Sequence, residues 1–108
     1  MEAVRTVFEV TASRAGDVAT VAIVGDVDSE TVAEITAACD AALVAGTTAL
    51  RLDLESTAFV DSSGLVVLLD VRAAAAERDV ALRLVRPSQA VQRVLELSEL
   101  VSVFDVEH

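Results

Sequence analysis

The chain has 108 residues, which is enough for one hydrophobic core and too few for two. Its formal net charge of −10 argues against nucleic acid or an anionic membrane surface as a partner, since both are bound by clustered Lys and Arg. No apolar run approaches the roughly 20 residues that span a bilayer, and the N-terminus lacks the pattern of a signal peptide, so we expect a cytoplasmic protein without direct membrane insertion.

The first half of the chain predicts a hairpin followed by a helix. Residues 6–11 and 18–24 are rich in β-branched and apolar side chains, and the polar segment between them, which contains a glycine, is typical of a turn. Asp28 or Ser29 is predicted to cap the helix that follows, and Gly46 to close it. Within that helix the apolar positions recur at helical spacing, namely Val32, Ile35, Cys39, Ala42 and Leu43.

The second half predicts further strands and helices in alternation. Residues 50–54 alternate between leucine and charged side chains, which indicates a strand with one wet face. A second helix is predicted to run to about Arg78, and residues 80–85 form another strand. Pro87 begins a shorter helix, because proline suits the first helical turn. Residues 100–104 are interpreted as a final edge strand.

The predicted order of elements is β-β-α-β-α-β-α with a last strand. Strands joined through helices imply parallel pairing with right-handed crossovers, and the opening hairpin adds an antiparallel member. The sequence therefore predicts a single α/β domain over residues 1–108. Its sheet is mixed and mostly parallel, with an N-terminal antiparallel hairpin, and is covered by helices.

The second helix begins at a polar turn near the middle of the chain. Phe59 and Val60 end a short strand-like run, and Asp61, Ser62 and Ser63 then lead to Gly64 and an apolar segment. Asp and Ser cap helices because their side-chain oxygens accept the free N–H groups of the first turn. The same free N–H groups also suit a phosphate. Each serine is therefore either a structural cap or a site of modification.

The inventory of residues argues against catalysis. The single histidine, His108, is the last residue, so a Ser-His-Asp arrangement would depend on a frayed terminus. The serine motif is Asp-Ser-Ser-Gly and differs from the Gly-x-Ser-x-Gly elbow of hydrolases, and no Gly-x-x-x-x-Gly-Lys phosphate loop occurs. The single cysteine excludes an internal disulfide and a multi-cysteine metal site. We expect a non-enzyme with no catalytic residues, no cofactor and no metal site.

The second helix is apolar on nearly all sides. One face is assigned to the core and consists of Gly64, Val67, Leu68, Val71 and Ala75. The periodicity leaves two interpretations open for the rest: burial all round, or an apolar surface shown to a partner next to Ser62. That second set consists of Leu65, Val66, Leu69 and Ala73. On the first helix, Cys39 lies in register with the apolar stripe and is interpreted as a core residue.

Four motifs resemble those of the anti-sigma-factor antagonists, the bacterial STAS domains. They are the turn 25–28 (Gly-Asp-Val-Asp), the strand 52–54, the Asp-Ser-Ser-Gly stretch 59–65, and 97–100 (Leu-Ser-Glu-Leu), and their spacing covers nearly the whole chain. Two positions depart from the family pattern: Asp26 stands where Glu is usual, and Glu99 where Gly is common.

The resemblance implies a function for these motifs. In that family the first serine of Asp-Ser-Ser-Gly is phosphorylated by an anti-sigma factor that is itself a serine kinase, which implies phosphorylation of Ser62. In that family the turn that corresponds to residues 25–28 of this chain is part of the partner-binding surface. The implied contact residues are Gly25, Asp26, Asp28, Asp61, Ser62, Ser63, Gly64, Leu65, Val66 and Leu69.

The function that follows is a phosphorylation-controlled binding module for sigma-factor-dependent transcription. Two alternatives remain open: a STAS subunit of a membrane lipid-transport ABC system, and a stressosome-type scaffold. We expect a monomer or weak dimer. If Asp61 caps the helix, Ser62 lies at the loop edge, whereas Ser63 lies about 100° further round and is expected to hydrogen-bond back to the turn.

Overall fold

Nine strands and helices follow one another along residues 7–108, the part of the chain that the computed structural model describes. Residue 6, the predicted start of the first strand, lies outside the described residues. The elements in chain order are β1 (Glu9–Ala15), β2 (Val18–Val27), α1 (Val32–Ala42), β3 (Ala49–Asp53), β4 (Thr57–Val60), α2 (Ser62–Glu77), β5 (Ala81–Val85), α3 (Gln89–Leu97) and β6 (Val106–Glu107).

The strands form a mixed sheet. β1 and β2 pair as the predicted antiparallel hairpin, with Ala15 opposite Val18 at its closed end. Strands β2, β3, β5 and β6 are parallel neighbours in that order, and β4 lies off this row and pairs in parallel with β2. This arrangement confirms the predicted fold class, a mostly parallel α/β sheet with an N-terminal hairpin.

β2 is long enough to pair with two strands in succession. Its first half pairs with β3, and its last residues, from Gly25 onward, pair with β4, in which Ala58 is an extra residue between the partners of Gly25 and Asp26. Gly25 has a φ of +104°, and its N–H donates to the carbonyl of Ser56 at 3.0 Å. A Cβ at this position would collide with the carbonyl oxygen of Val7. Glycine is therefore required where the chain changes its pairing partner.

The core is aliphatic, as the composition predicts. Alternate residues of β2 and β3 are buried, because successive strand side chains point to opposite faces of the sheet. The predicted core face of α2 is confirmed residue by residue, and Cys39 of α1 is 1% exposed. The largest fully buried aliphatic side chains are Ile23, Ile35, Leu50, Leu52, Leu54 and Leu84.

The predicted last strand over residues 100–104 is wrong. This segment is a series of turns in which Phe104 is buried, with Leu100 and Val103 packed against the core. The strand comes later, as β6, where Val106 pairs with Leu84. An apolar segment of this length serves a turn folded over the core as well as a strand, so the sequence pattern alone did not separate the two.

The predicted capping of α1 is also wrong at its N-terminus. Thr31 occupies the N-cap position, and in the described chain its hydroxyl makes no capping bond to the helix. The hydroxyl donates instead to the carbonyl of Asp26 at 2.8 Å, which ties the helix start to β2. The carboxylate of Asp28 accepts the N–H of Glu30 at 2.9 Å, within the preceding turn.

The C-terminus of α1 is closed by distant side chains. The helix ends at Ala42, and Gly46 lies in the turn beyond it with a φ of +94°. Arg14 of β1 donates to the carbonyl of Ala42 at 3.1 Å, and Arg78 at the end of α2 donates to the carbonyl of Leu43 at 2.7 Å. Both guanidinium groups satisfy carbonyls that have no partner within the helix, and their charge favours its negative end.

Candidate functional site

Ser62 stands at the point where β4 ends and α2 begins. Asp61 is the N-cap residue of α2, and its carboxylate accepts the N–H of Gly64 at 3.1 Å. The backbone N–H of Asp61 donates to the carbonyl of Val27 at 3.2 Å, which fixes the turn against the end of β2. Ser62 is then the first residue of the helix and is exposed. The cap is occupied by Asp61, so the Ser62 hydroxyl is not needed for it.

Gly64 brings the first turn of α2 directly onto the sheet. A Cβ at this position would lie 2.7 Å from Cγ1 of Val60, 2.8 Å from Cγ1 of Val27 and 2.9 Å from the Val27 carbonyl oxygen. Gly64 is therefore buried and positions Ser62 without itself facing solvent. Gly25 is also buried. Both glycines of the implied contact set therefore lie beneath the surface and shape its backbone.

Two turns that carry aspartate, residues 25–28 and residues 61–64, lie side by side, and we call them the acidic turns. Val27 and Val60 are register partners, so the chain leaves β2 and β4 at adjacent carboxyl ends of parallel strands. Asp28 follows the first of these ends and Asp61 the second. The sheet therefore brings together the 25–28 turn and the serine turn, as the sequence motifs implied.

Most arginines of the described residues form ion pairs or hydrogen bonds away from the acidic turns. Arg86 is held by Asp53 and Glu55, and Arg51 and Arg83 both pair with Glu107. Backbone carbonyls accept hydrogen bonds from three further guanidinium groups, those of Arg14, Arg72 and Arg78. In residues 7–108, no arginine forms an ion pair with the acidic turns, so the negative charge beside Ser62 is uncompensated there.

One face of α2 carries exposed apolar side chains next to Ser62. Val66 is 55% exposed, and Leu69 is also exposed. These residues follow Ser62 at i+4 and i+7, so the three share one face of the helix. Of the two interpretations of α2, burial all round or an exposed apolar surface, the second is therefore correct for Val66 and Leu69. Leu65 is half-buried and packs against the core.

Phe59 is a surface residue that the sequence interpretation missed. It is 50% exposed and lies in β4 opposite Asp26 of β2. The sequence offered one signal: in a four-residue strand, alternation from the buried Val60 places Phe59 on the other face of the sheet. We define the Ser62 surface as the exposed or half-buried residues Asp28, Asp61, Ser62, Val66 and Leu69, and the exposed Phe59 and half-buried Asp26 lie next to it in β4 and β2.

Ser63 differs from Ser62 in its surroundings. It is half-buried and faces α1, where it lines a groove between the two helices. In the described part of the chain its hydroxyl makes no hydrogen bond to the turn, so that expectation is wrong. The separation of the two serines still holds, since Ser62 faces solvent and Ser63 faces the neighbouring helix.

The structure offers little reactive chemistry in its described range. Burial raises the pKa of the Cys39 thiol to about 12, and the nearby Asp40 carboxylate adds to the effect, so the sulfur stays protonated at neutral pH. Within residues 7–108 no group of three His, Cys, Asp or Glu side chains could hold a metal ion. In the same range no helix has the length and apolar character needed to cross a membrane.

A family model described as "Mlab, STAS domain" matches residues 10–103. No curated protein sequence gives a significant match to the chain.

Solved structures give the same fold at low sequence identity. An anti-sigma factor antagonist from Mycobacterium paratuberculosis is 22% identical, with a TM-score of 0.82 over 94% of this chain and 86% of that one. A putative anti-sigma factor antagonist from Thermotoga maritima is 20% identical, with a TM-score of 0.82 over 92% and 86%. The phosphorylated form of the Bacillus cell fate determinant SpoIIAA is 21% identical, with a TM-score of 0.69 over 94% and 92%.

Proposed function

The chain belongs to the Mlab, STAS domain family, and on that premise we propose that it is an anti-sigma-factor antagonist switched off by phosphorylation of Ser62. One observation carries the proposal: an exposed serine begins α2 on a surface that combines uncompensated acidic turns with exposed apolar side chains. Unmodified, the Ser62 surface binds a kinase-type anti-sigma factor and so releases a sigma factor. In this role the protein works in the cytoplasm, as a monomer or weak dimer.

Phosphorylation acts on this surface through charge. A phosphate adds about −1.5 to −2 charges, and it arrives beside Asp61 and near Asp28. No arginine pairs with these turns in the described residues, so nothing on this chain neutralises the phosphate, which must be desolvated when a partner docks. Coupling in such switches is typically about 1–3 kcal/mol, which corresponds to roughly 5- to 150-fold in affinity.

The helix start accommodates the phosphate without a change of fold. The free N–H groups of the first turn and the positive end of the helix favour an anion there. Within residues 7–108 the Ser62 hydroxyl makes no hydrogen bond that a phosphate would break, and the residue is exposed. Switching therefore changes the surface and leaves the sheet as it is. Bacillus SpoIIAA, which shares the fold, has a phosphorylated form of known structure.

The test is to map the modified residue. The protein is incubated with ATP and each kinase-type anti-sigma factor of its host, and its intact mass is measured before fragment mapping. We expect one phosphate, on Ser62, and the same result for Ser63→Ala, whereas Ser62→Ala stays unmodified. A phosphate on Ser63, or no phosphate with any of these kinases, would overturn the proposal.

The second candidate is a STAS subunit of a membrane lipid-transport ABC system. It stays under consideration because the matching family model is named for Mlab and not for an anti-sigma factor antagonist. The two candidates differ in the proteins that co-purify from the host at native expression level: a serine kinase in the first case, a permease and an ATPase in the second. A stressosome-type scaffold would instead elute from a sizing column as a large particle.

A further inference from the structure

A groove runs between α1 and α2 immediately beside the Ser62 surface. Its volume is about 620 Å³, and Ser63 lies in its wall, one residue from Ser62. The walls are mostly small or aliphatic side chains, among them Val32, Ala33, Ala37, Val66 and Val67. Val66 belongs to both features, so the groove continues the surface on which Ser62 stands.

The charges along the groove have one sign. Asp40 of α1 and Asp70 of α2 line it, and both are exposed. Neither carboxylate pairs with an arginine in the described chain, and the groove lining contains no basic residue. An aliphatic floor between unpaired carboxylates fits an aliphatic side chain whose neighbours are Lys or Arg.

We infer that this groove holds a helical segment of the partner that carries an aliphatic stripe flanked by basic residues. The inference rests on the proposed function, since the partner is the same protein that reads Ser62. The aliphatic side chains displace water from the walls formed by Val66 and Ala37, and the basic side chains neutralise Asp40 and Asp70. The groove thus supplies binding that does not depend on the state of Ser62, and the serine turn supplies the switch.

The test uses a defined probe and therefore needs no identified partner. Two synthetic helical peptides of about 15 residues share a leucine stripe, flanked by lysines in one and by glutamates in the other. Each is titrated into the ¹⁵N-labelled protein. We expect the lysine peptide to shift the amide signals of Ala33, Ala37 and Val66, and the glutamate peptide to leave them unchanged.

A charge-matched pair of variants separates this site from the overall negative charge. The double variant Asp40→Asn with Asp70→Asn is expected to bind the lysine peptide about fivefold more weakly, since each exposed ion pair contributes little to the binding free energy. Glu9→Gln with Glu96→Gln changes the net charge equally at exposed residues of β1 and α3 and is expected to have no such effect. Circular dichroism checks that all four substitutions leave the fold intact.

The inference is overturned if the lysine peptide does not bind, if its shifts map outside the groove, or if both variant pairs weaken it equally. It is also overturned if the glutamate peptide binds as well as the lysine peptide. None of these results affects phosphorylation of Ser62, which is measured separately by mass. Failure of the groove and failure of the proposed function are therefore distinguishable.

Discussion

Ser62 owes its accessibility to its two neighbours in the turn. Asp61 takes the capping position with its carboxylate on the N–H of Gly64, and Gly64 allows the helix to start close against β2 and β4. The Ser62 hydroxyl is thereby left without a structural task and faces solvent. A side chain in this position can be modified at little cost to folding stability.

The charge at residue 62 is expected to control partner binding. Ser62→Asp adds a negative charge next to Asp61 and should weaken binding to the proposed partner, a kinase-type anti-sigma factor, by roughly fivefold or more, whereas Ser62→Ala should bind normally. Affinity is measured by calorimetry with ADP present. Ser102→Asp, at an exposed residue of the turns after α3, adds the same charge elsewhere and is the control. Equal affinities of Ser62→Ala and Ser62→Asp would contradict the charge mechanism.

Glu99 is strained in a conformation that favours glycine. Its φ is +61°, just after α3, where the N–H of Leu100 donates to the carbonyl of Leu95 at 2.9 Å and the N–H of Glu99 to that of Glu96 at 3.2 Å. This is the Schellman arrangement that ends many helices, usually with glycine in the left-handed position. Glu99 therefore occupies the left-handed position of this turn, where glycine is usual.

Replacing Glu99 by glycine is expected to stabilise the protein. Removing the left-handed strain gains about 1–2 kcal/mol, and the greater freedom of glycine in the unfolded chain offsets part of it, which leaves roughly 0.5–1 kcal/mol. The free energy of unfolding is measured in urea. Glu96→Gly, within α3 at an ordinary helical position, is the control and should lower stability by about 1 kcal/mol. A loss of stability in Glu99→Gly would show that the side chain contributes more than the strain costs.

At the scale of elements, the position of α2 depends on how closely its first turn approaches β2 and β4. Gly64→Ala places a methyl group against Val27 and Val60, and one of the contacts is with backbone, which cannot move aside easily. We expect a loss of about 1–3 kcal/mol in the free energy of unfolding, although alanine is the better helix former. Ser63→Ala, one position earlier, should change stability little. A Gly64→Ala variant as stable as the parent would show that α2 can shift outward.

The ends of the helices show two kinds of closure. α2 and α3 end within their own sequence: in α2 the N–H of Val80 donates to the carbonyl of Ala75 at 2.9 Å, and Asp79 has a φ of +55°. In α1 the hydroxyl of Thr47 donates locally to the carbonyl of Ala42 at 2.8 Å, but further hydrogen bonds come from Arg14 of β1 and Arg78 at the end of α2. The first kind is encoded locally, whereas the second forms only when the elements are assembled.

At the scale of the whole molecule, charge is distributed unevenly. Glu107 of β6 forms salt bridges with Arg51 of β3 and Arg83 of β5. Arg86 forms salt bridges with Asp53 and Glu55 at the end of β3. The acidic turns beside Ser62 and the aspartates of the groove are left unpaired by arginine in the described residues. These carboxylates carry part of the net charge of −10 and make the Ser62 surface and the groove negative.

The bridge at Glu107 is expected to make stability depend on acidity. The hydrogen bond from Arg51 lowers the pKa of the Glu107 carboxyl in the folded protein. A lowered pKa contributes stability above the unfolded value of about 4.3, and this contribution is lost as the pH falls through the folded value. Unfolding in urea at pH 7 should show Glu107→Gln to be less stable than the parent, with the difference shrinking below about pH 4. A difference that stayed constant with pH would assign the effect to packing.

The features that depend on neighbours along the chain could be predicted from the amino-acid sequence alone. These are the hairpin, the three helices, the core face of α2 and the placement of Ser62 at a helix start. Each follows from side chains within one or two turns of one another, because helical and strand periodicities are local. For the same reason the family motifs could be found without the fold.

The tertiary structure decided what depends on residues distant in sequence. It assigned β4 to β2 as a separate strand, moved the last strand from residues 100–104 to β6, and exposed Phe59 and Val66. Pairing partners and exposure are set by what lies across the sheet or against a helix, and local patterns give only which residues share a face. Only assembly therefore brought the 25–28 turn beside Ser62 and opened the groove next to Ser63.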